Sequence, residues 1–359
     1  MAGMSVQPVK NMRNGAIDLG HLKEQLSRFQ HQVGAIMITY PSTYGVFDED
    51  IMETCELVHK TGGQVYLDGA NMNAQVGLCR PGDYDTDVCH LNLHKTFGIP
   101  HGGGGPGVGP VCVKQHLAPF LPQHPWRATS LHGSEQYLEL DPNLRVVASA
   151  PFGSASILPV PWSYIRLLGS QGLRKASEVA ILNANYMLRR LQSHYPIKFV
   201  NVEGCCAHEF IIDCSAFEKH KIMTLDIAKR LMDYGFHSPT MSWPVASSLM
   251  IEPTESESRA ECDRLCEALI GIREEIDKVV RGEWPMECNP LKMAPHTLED
   301  ITSDPWDRPY TREEAAYPAP WLRQIKGDTV QVQSKFWPTV GRLNDAYGDT
   351  HMCCKFPAE

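Results

Sequence analysis

The chain has 359 residues, of which 43% are hydrophobic and 21% charged, with a formal net charge of −9 at pH 7. These are ordinary values for a globular chain of about two domains. The acidic balance, with no basic stripe interleaved with aromatics, argues against nucleic acid as a partner; no apolar run reaches the roughly 18 residues that span a bilayer, so no membrane insertion is expected.

Before Ala35 the pattern fits a short strand, a turn at Asn14-Gly15 and an amphipathic helix from Asp18 to Gln30. A strand at Ala35 to Thr39, a helix from Asp48 to Thr61, and strands over Gly62 to Asp68 and Val88 to Leu93 then alternate as in a mostly parallel α/β sheet. Residues 1–150 are read as a partial large domain. A long helical region from Tyr164 to His194 leads into a small α+β domain at 151–288. There, apolar runs at Lys198 to Val200, Glu209 to Cys214 and Ser248 to Glu252 alternate with helices near Asp226 to Tyr234 and Glu255 to Arg281. From Asn289 prolines and aromatics dominate, so 289–359 is read as an extended C-terminal arm packed on the body, with disorder as the alternative.

Twelve cysteines are scattered through these elements, which suits reduced, buried thiols. Cys262 and Cys266 lie one helical turn apart, yet no His or Cys pair at ligand spacing accompanies them, and no metal is expected. Cys353 and Cys354, near His351, are open to a redox-sensitive or an incidental reading.

The chemistry concentrates in "VYLDGANMNAQ" and "HLNLHKTFGIPHGGGG". Asp68 closes one expected strand and Lys95 follows another, and ligands of open α/β sheets sit at that strand edge. An acid there holds a pyridine nitrogen protonated, while a lysine forms a Schiff base, which together suit pyridoxal 5'-phosphate (PLP). Taken singly, an Asp after a strand is a turn former or cap and a Lys is solvated; the pairing is what carries the reading. Asn71 is placed to donate to the phenolic oxygen of the cofactor, and Ala70 is small enough to lie under a planar ring. The run Gly102 to Gly105 is expected near the cofactor as part of a substrate channel, or else as a flexible hairpin. His101 beside it is a candidate for proton transfer.

These segments, with "KQHLAPFLPQHP", "AILNANYM", "DYGFHSPTMSWPV", "IEPTESES", "NPLKMAPH", "WDRPYTREEAAYP" and "KFWPTVGRLNDAYGD", resemble the C-terminal half of glycine decarboxylase, the P-protein of the glycine cleavage system. The resemblance implies a PLP-dependent transferase fold of the aspartate aminotransferase type, with Lys95 as the Schiff-base lysine and Asp68 as partner of the pyridine nitrogen. It carries over Asn71, His94 and His101 as further site residues. Glycine as substrate, the lipoyl arm of the H-protein as acceptor of the aminomethyl group, a homodimer and a mitochondrial location are implied in the same way, although no targeting segment is visible.

The sequence also departs from that family. The glycine- or serine-rich phosphate loop of the fold is expected before Met1, so the large domain is read as incomplete and the chain as an N-terminally truncated form. Tyr44, in "TYPSTYGVF", stands where a small polar residue is expected and is read as narrowing the site entrance. Three alternatives stay open: an active decarboxylase, a non-catalytic fragment that keeps dimer or H-protein surfaces, and another PLP enzyme of the same fold.

Overall fold

The computed structural model describes residues 3–101, 107–122, 147, 150, 152–326, 329–331 and 335–351. Two compact units emerge: the first is Met1–Asn185, Phe199–His208 and Thr254–Ser256, the second Tyr186–Lys198, Glu209–Pro253 and Glu257–Glu359.

In the first unit, helix α1 (Leu19–Phe29) begins where the Asp18 carboxylate accepts the His21 N–H, and it buries Leu22 and Leu26 one turn apart. Strand β1 (Ala35–Thr39), helix α2 (Ile51–Lys60) and strands β2 (Gln64–Gly69) and β3 (Val88–Leu91) follow. The three strands run parallel, and β4 (Val111–Val113) adds antiparallel to β3, giving the order β1-β2-β3-β4. Alternation along β2 turns Val65 and Leu67 inward, where they join Leu22 and Leu26 of α1 and Ile51, Cys55 and Val58 of α2 in one core. Each such side chain contributes about 1.5–3 kcal/mol on burial. The opposite face carries Met37, Tyr66, Asp68 and His90; Met37 is 65% exposed and the other three are half-buried.

Asp87, just before β3, is the polar pin of this unit. Its carboxylate accepts from His59 Nε2 and from the Val65 N–H, each at 2.7 Å, and lies 3.2 Å from Lys114 Nζ. Burial alone would raise this carboxyl, but His59, the Val65 N–H and Lys114 together hold it below its usual value. Helix α3 (Pro159–Leu191) starts earlier than its periodicity predicts and breaks at Gly169, where φ is 60° and ψ −175°. Its part in this unit is fixed by the Ser177 hydroxyl, which donates to the Val76 carbonyl at 2.8 Å.

The second unit holds an antiparallel sheet of β5 (Ile197–Lys198), β6 (Phe210–Asp213), β7 (Thr240–Met241) and β8 (Ser248–Ile251), in the order β5-β6-β8-β7. Helices α4 (Thr224–Asp233) and α5 (Arg259–Val280) accompany it. The segment after 288 is more structured than an extended arm. It forms short helices α6 (Pro290–Met293), α7 (Leu298–Thr302) and α8 (Arg312–Ala316), capped by Asn289, Thr297 and Thr311. A buried network ties it down. Arg230 donates to Glu275, to Asp233 and to the carbonyls of Glu314 and Ala315. His296 bridges Asp233 at 2.7 Å and the Tyr310 hydroxyl at 2.9 Å, and Lys335 donates to the carbonyls of Asp233 and Ala316. Among the described residues no helix is long and apolar enough to cross a membrane.

Candidate active site

Three parallel strands bring their C-terminal ends to one edge of the first unit's sheet, the place where such sheets bind ligands. Asp68, next to last in β2, registers against Thr39 of β1 and His90 of β3. Gly69 follows, and a Cβ there would lie 2.0 Å from the His90 carbonyl oxygen, so only glycine lets the chain pass β3 this closely. Asp68 Oδ1 accepts the Ala70 N–H at 2.9 Å and lies 3.2 Å from His90 Nε2. The imidazole of His90 is oriented from both sides, Nδ1 by the Tyr66 hydroxyl at 2.9 Å and Nε2 by Asn92 Oδ1 at 3.1 Å.

The loop beyond β2 is tied to the loop beyond β1. Asn71 is buried and its Nδ2 donates to the Pro41 carbonyl at 2.9 Å, which occupies one of its two amide hydrogens. Gln75 Nε2 donates to the Tyr40 carbonyl, and the Tyr84 hydroxyl donates to Gln75 Oε1 at 2.6 Å. Ala70, half-buried, sits between these anchors.

Lys95 stands in the turn that leaves β3. Its N–H bonds the Asn92 carbonyl at 3.0 Å, its own carbonyl accepts the Gly98 N–H at 3.3 Å, and its side chain is exposed. His94 and His101 meet edge to face with ring centroids 4.9 Å apart. Burial, then the charges of His101 and Lys95, push the His94 imidazole below its ordinary value, which keeps it neutral at pH 7. Asp68 thus stands at the end of one strand with Ala70 and Asn71 just beyond it, and His94, Lys95 and His101 follow its neighbour, at the same sheet edge. The glycine run at 102–105 lies outside the described residues, as do Cys353 and Cys354.

Sequence reasoning missed two histidines. His90 orients against Asp68, a partnership that β2–β3 pairing creates and that strand periodicity at His90 alone does not announce. His208 is fully buried, and burial, followed by the positive charge of Lys95, drives its imidazole down to about 3. Its segment is clamped where Asn185 receives the Cys206 N–H and donates to the Cys206 carbonyl, and where the Ala207 N–H reaches the Gly45 carbonyl. His208 lies far from Lys95 in sequence, so no local signal joins the two. Tyr44 takes a packing role here: its ring lies 4.6 Å from that of Phe199, centroid to centroid, over Gly15.

PLP asks for an acid toward its ring nitrogen, an amine for its aldehyde and donors for its oxyanions. Asp68 and Lys95 meet the first two needs. For the third, Asn71 keeps one amide hydrogen beyond the one it gives to the Pro41 carbonyl. The residues present therefore fit the group.

Residues 176–296 match the family described as glycine dehydrogenase, C-terminal domain. The chain is 57% identical over 358 residues to the mitochondrial glycine dehydrogenase (decarboxylating) of Gallus gallus and 56% identical to that of Homo sapiens, covering 99% of this chain and 34% of each relative. It is 54% identical to the glycine dehydrogenase (decarboxylating) of Prochlorococcus marinus, over 100% of this chain and 35% of that protein. The chain thus spans about a third of the length of the curated relatives it matches. Among solved structures, it is similar to an inhibitor-bound glycine decarboxylase (P-protein) of the glycine cleavage system, with a TM-score of 0.53, 19% identity and coverage of 67% of this chain and 55% of that one. A cysteine desulfurase from Thermococcus onnurineus shares the fold at a TM-score of 0.57 and 12% identity, over 75% of this chain and 66% of its own.

Proposed function

From a chain that resembles, end to end, about a third of the glycine dehydrogenases (decarboxylating), we propose that it carries the lysine-and-acid half of a PLP site for glycine decarboxylation. The aminomethyl group would pass to the lipoyl arm of the H-protein. The single observation behind this reading is the shared strand edge, with Asp68 at the end of β2 and Lys95 in the turn after β3.

When bound, PLP supplies an electron sink for the pair released as carbon dioxide leaves glycine. The Lys95 amine would hold the cofactor through its aldehyde carbon and would be set free as the amine of glycine takes its place there. Asp68, kept in place by the Ala70 N–H and His90, holds a proton at the ring nitrogen by its fixed negative charge. Neutral His94 and buried His208 add no positive charge around Lys95. Asn71 would offer its remaining amide hydrogen to the ring oxygen, and His101 would take the proton-transfer role. A homodimer and, in a eukaryotic cell, a mitochondrial location complete the proposal.

Exposure of Lys95 favours a second reading, in which the chain holds PLP only when another polypeptide covers the site, and is otherwise a non-catalytic partner. The experiment is an absorbance titration of the purified chain with PLP, then with glycine. The first reading expects a visible lysine-bound band that glycine perturbs and that Lys95→Ala abolishes. A Lys95→Ala variant that keeps the band would show the lysine is misassigned, whereas a folded wild type without any band would support the second reading.

A further inference from the structure

Cys112 is the one exposed cysteine among the described residues, and it stands directly opposite buried Cys89 in the β3–β4 ladder. On either side of the pair, the Lys114 N–H bonds the Asp87 carbonyl and the Leu91 N–H bonds the Pro110 carbonyl, both at 2.9 Å. Antiparallel ladders alternate, so Cys89 and Cys112 fall at a hydrogen-bonded position, where Cα atoms lie about 5.5 Å apart and both side chains share one face. That face is the core side, since Cys89 packs there with Val65 and Leu67; Cys112 lies at its open margin. No other cysteines among the described residues face each other across a ladder.

A disulfide needs Cα atoms about 4.4–6.8 Å apart, which this position supplies, and Cβ atoms about 3.5–4.5 Å apart, somewhat closer than opposed strand residues stand. The strand free to close that gap is β4: it has three residues and bonds a neighbour on one side only, whereas β3 is held between β2 and β4. Cys89 Sγ donates to the His90 carbonyl at 3.4 Å, a weak bond that a turn about χ1 gives up. We propose that Cys89 and Cys112 form a reversible disulfide by exchange with a low-molecular-weight disulfide such as oxidised glutathione. Exposed Cys112 reacts first: its thiolate attacks one sulfur of the reagent and expels the other, leaving a mixed disulfide on Cys112. Burial, then the charge of Cys112, push the Cys89 thiol up to about 11, so it does not start the reaction. The mixed disulfide removes the second of these causes. Cys89 then gives up its proton and attacks Cys112 Sγ, which expels the second half of the reagent. The two leaving thiolates take up the two protons, so two protein thiols are oxidised and one reagent disulfide is reduced.

The tether bears on the sheet edge that carries Asp68 and Lys95. In sequence it closes residues 90–111, the segment that holds Lys95 and His101, into a loop. A Cβ on Gly69 would lie 3.1 Å from Cys89 Sγ, so the sulfur that turns is packed where β2 passes β3, one residue after Asp68. None of this depends on the PLP reading.

The test is to incubate the folded wild type, Cys89→Ala and Cys112→Ala with oxidised glutathione, block the remaining thiols with an alkylating reagent, and map the cysteines by peptide mass spectrometry. The wild type should lose both thiols together, yield a linked Cys89–Cys112 peptide without glutathione, and recover both thiols in excess reduced glutathione. Cys89→Ala should stop at one glutathione on Cys112, and Cys89 should stay free in Cys112→Ala. A wild type that keeps glutathione on Cys112, links it to any other cysteine or leaves it unmodified would overturn the proposal, whether or not either variant folds. So would a Cys89–Cys112 peptide that forms only after urea has unfolded the chain.

Discussion

At the scale of single residues, Asp68 joins a place in the fold to a role in the proposed chemistry. Its Oδ1 closes a bond to the Ala70 N–H and faces His90. Replacement by asparagine keeps an oxygen for the Ala70 N–H, and so the loop should stay in place. What is lost is the fixed negative charge, and a neutral amide does not hold a proton on a ring nitrogen. If the proposed function holds, Asp68→Asn should therefore melt close to wild type while glycine turnover falls by roughly 100-fold or more, the usual loss when a preorganised electrostatic group is removed. Turnover near wild type, measured as release of carbon dioxide from glycine, would remove Asp68 from the role. The positions of Asp68 and Lys95 at one sheet edge were readable because strand ends are local patterns, although β3 stops at Leu91 rather than Leu93. His208 was not, since its burial within reach of the charge of Lys95 depends on the clamp on Cys206 and Ala207 rather than on any local signal.

Elements show the same division. The parallel strands and α2 were legible because period-two and helical spacing of apolar residues report burial directly, and β1 falls at Ala35–Thr39 as that spacing predicts. The break in α3 at Gly169 was not, because an isolated glycine inside a helical pattern is compatible with a continuous helix. Nor was the pin that joins elements: Asp87 links α2 through His59 to the start of β2 through the Val65 N–H. Its folded value lies below its unfolded one, so its contribution is complete above the ordinary carboxylate range of about 4 and fades as pH falls through the lower folded value. Asp87→Asn leaves His59 and Lys114 facing a neutral group and should destabilise by about 1.5–3 kcal/mol, the range for hydrogen bonds to a charged group. Urea unfolding at pH 7 checks this, and the difference between variant and wild type should shrink as pH falls below the ordinary carboxylate range and the folded-state carboxylate takes up its proton.

For the molecule as a whole, the stretch after 288 carries the largest gap between pattern and structure. Its prolines and aromatics hide helical periodicity, so it read as an extended arm packed on the body. Leu291, Ala294, His296, Tyr310 and Ala315 are buried, but on short helices held within the second unit by polar bonds that apolar spacing does not encode. Arg230 is fully buried between Glu275 and Asp233, and Arg230→Met should be severe, because it strands the Glu275 carboxylate without its cation and takes one partner from Asp233; a loss of about 3–5 kcal/mol is usual for breaking such a pair.

Lys335 gives this segment a finer signature. Burial pulls its ammonium down to about 8, against the pull of Asp233, while Arg230 lowers it further. The unfolded chain keeps its proton up to about 10.4, so between these two values the unfolded state binds more protons than the folded one. Stability must then rise with pH across that window and level off above it. Lys335→Met keeps the packing length of the side chain but has nothing to titrate, and its stability should lack that rise. Guanidinium unfolding of both proteins from pH 7 to 10 isolates the effect as the difference between the two curves. Parallel curves would mean that Lys335 keeps an ordinary proton affinity, and that the carbonyls of Asp233 and Ala316 hold it charged throughout.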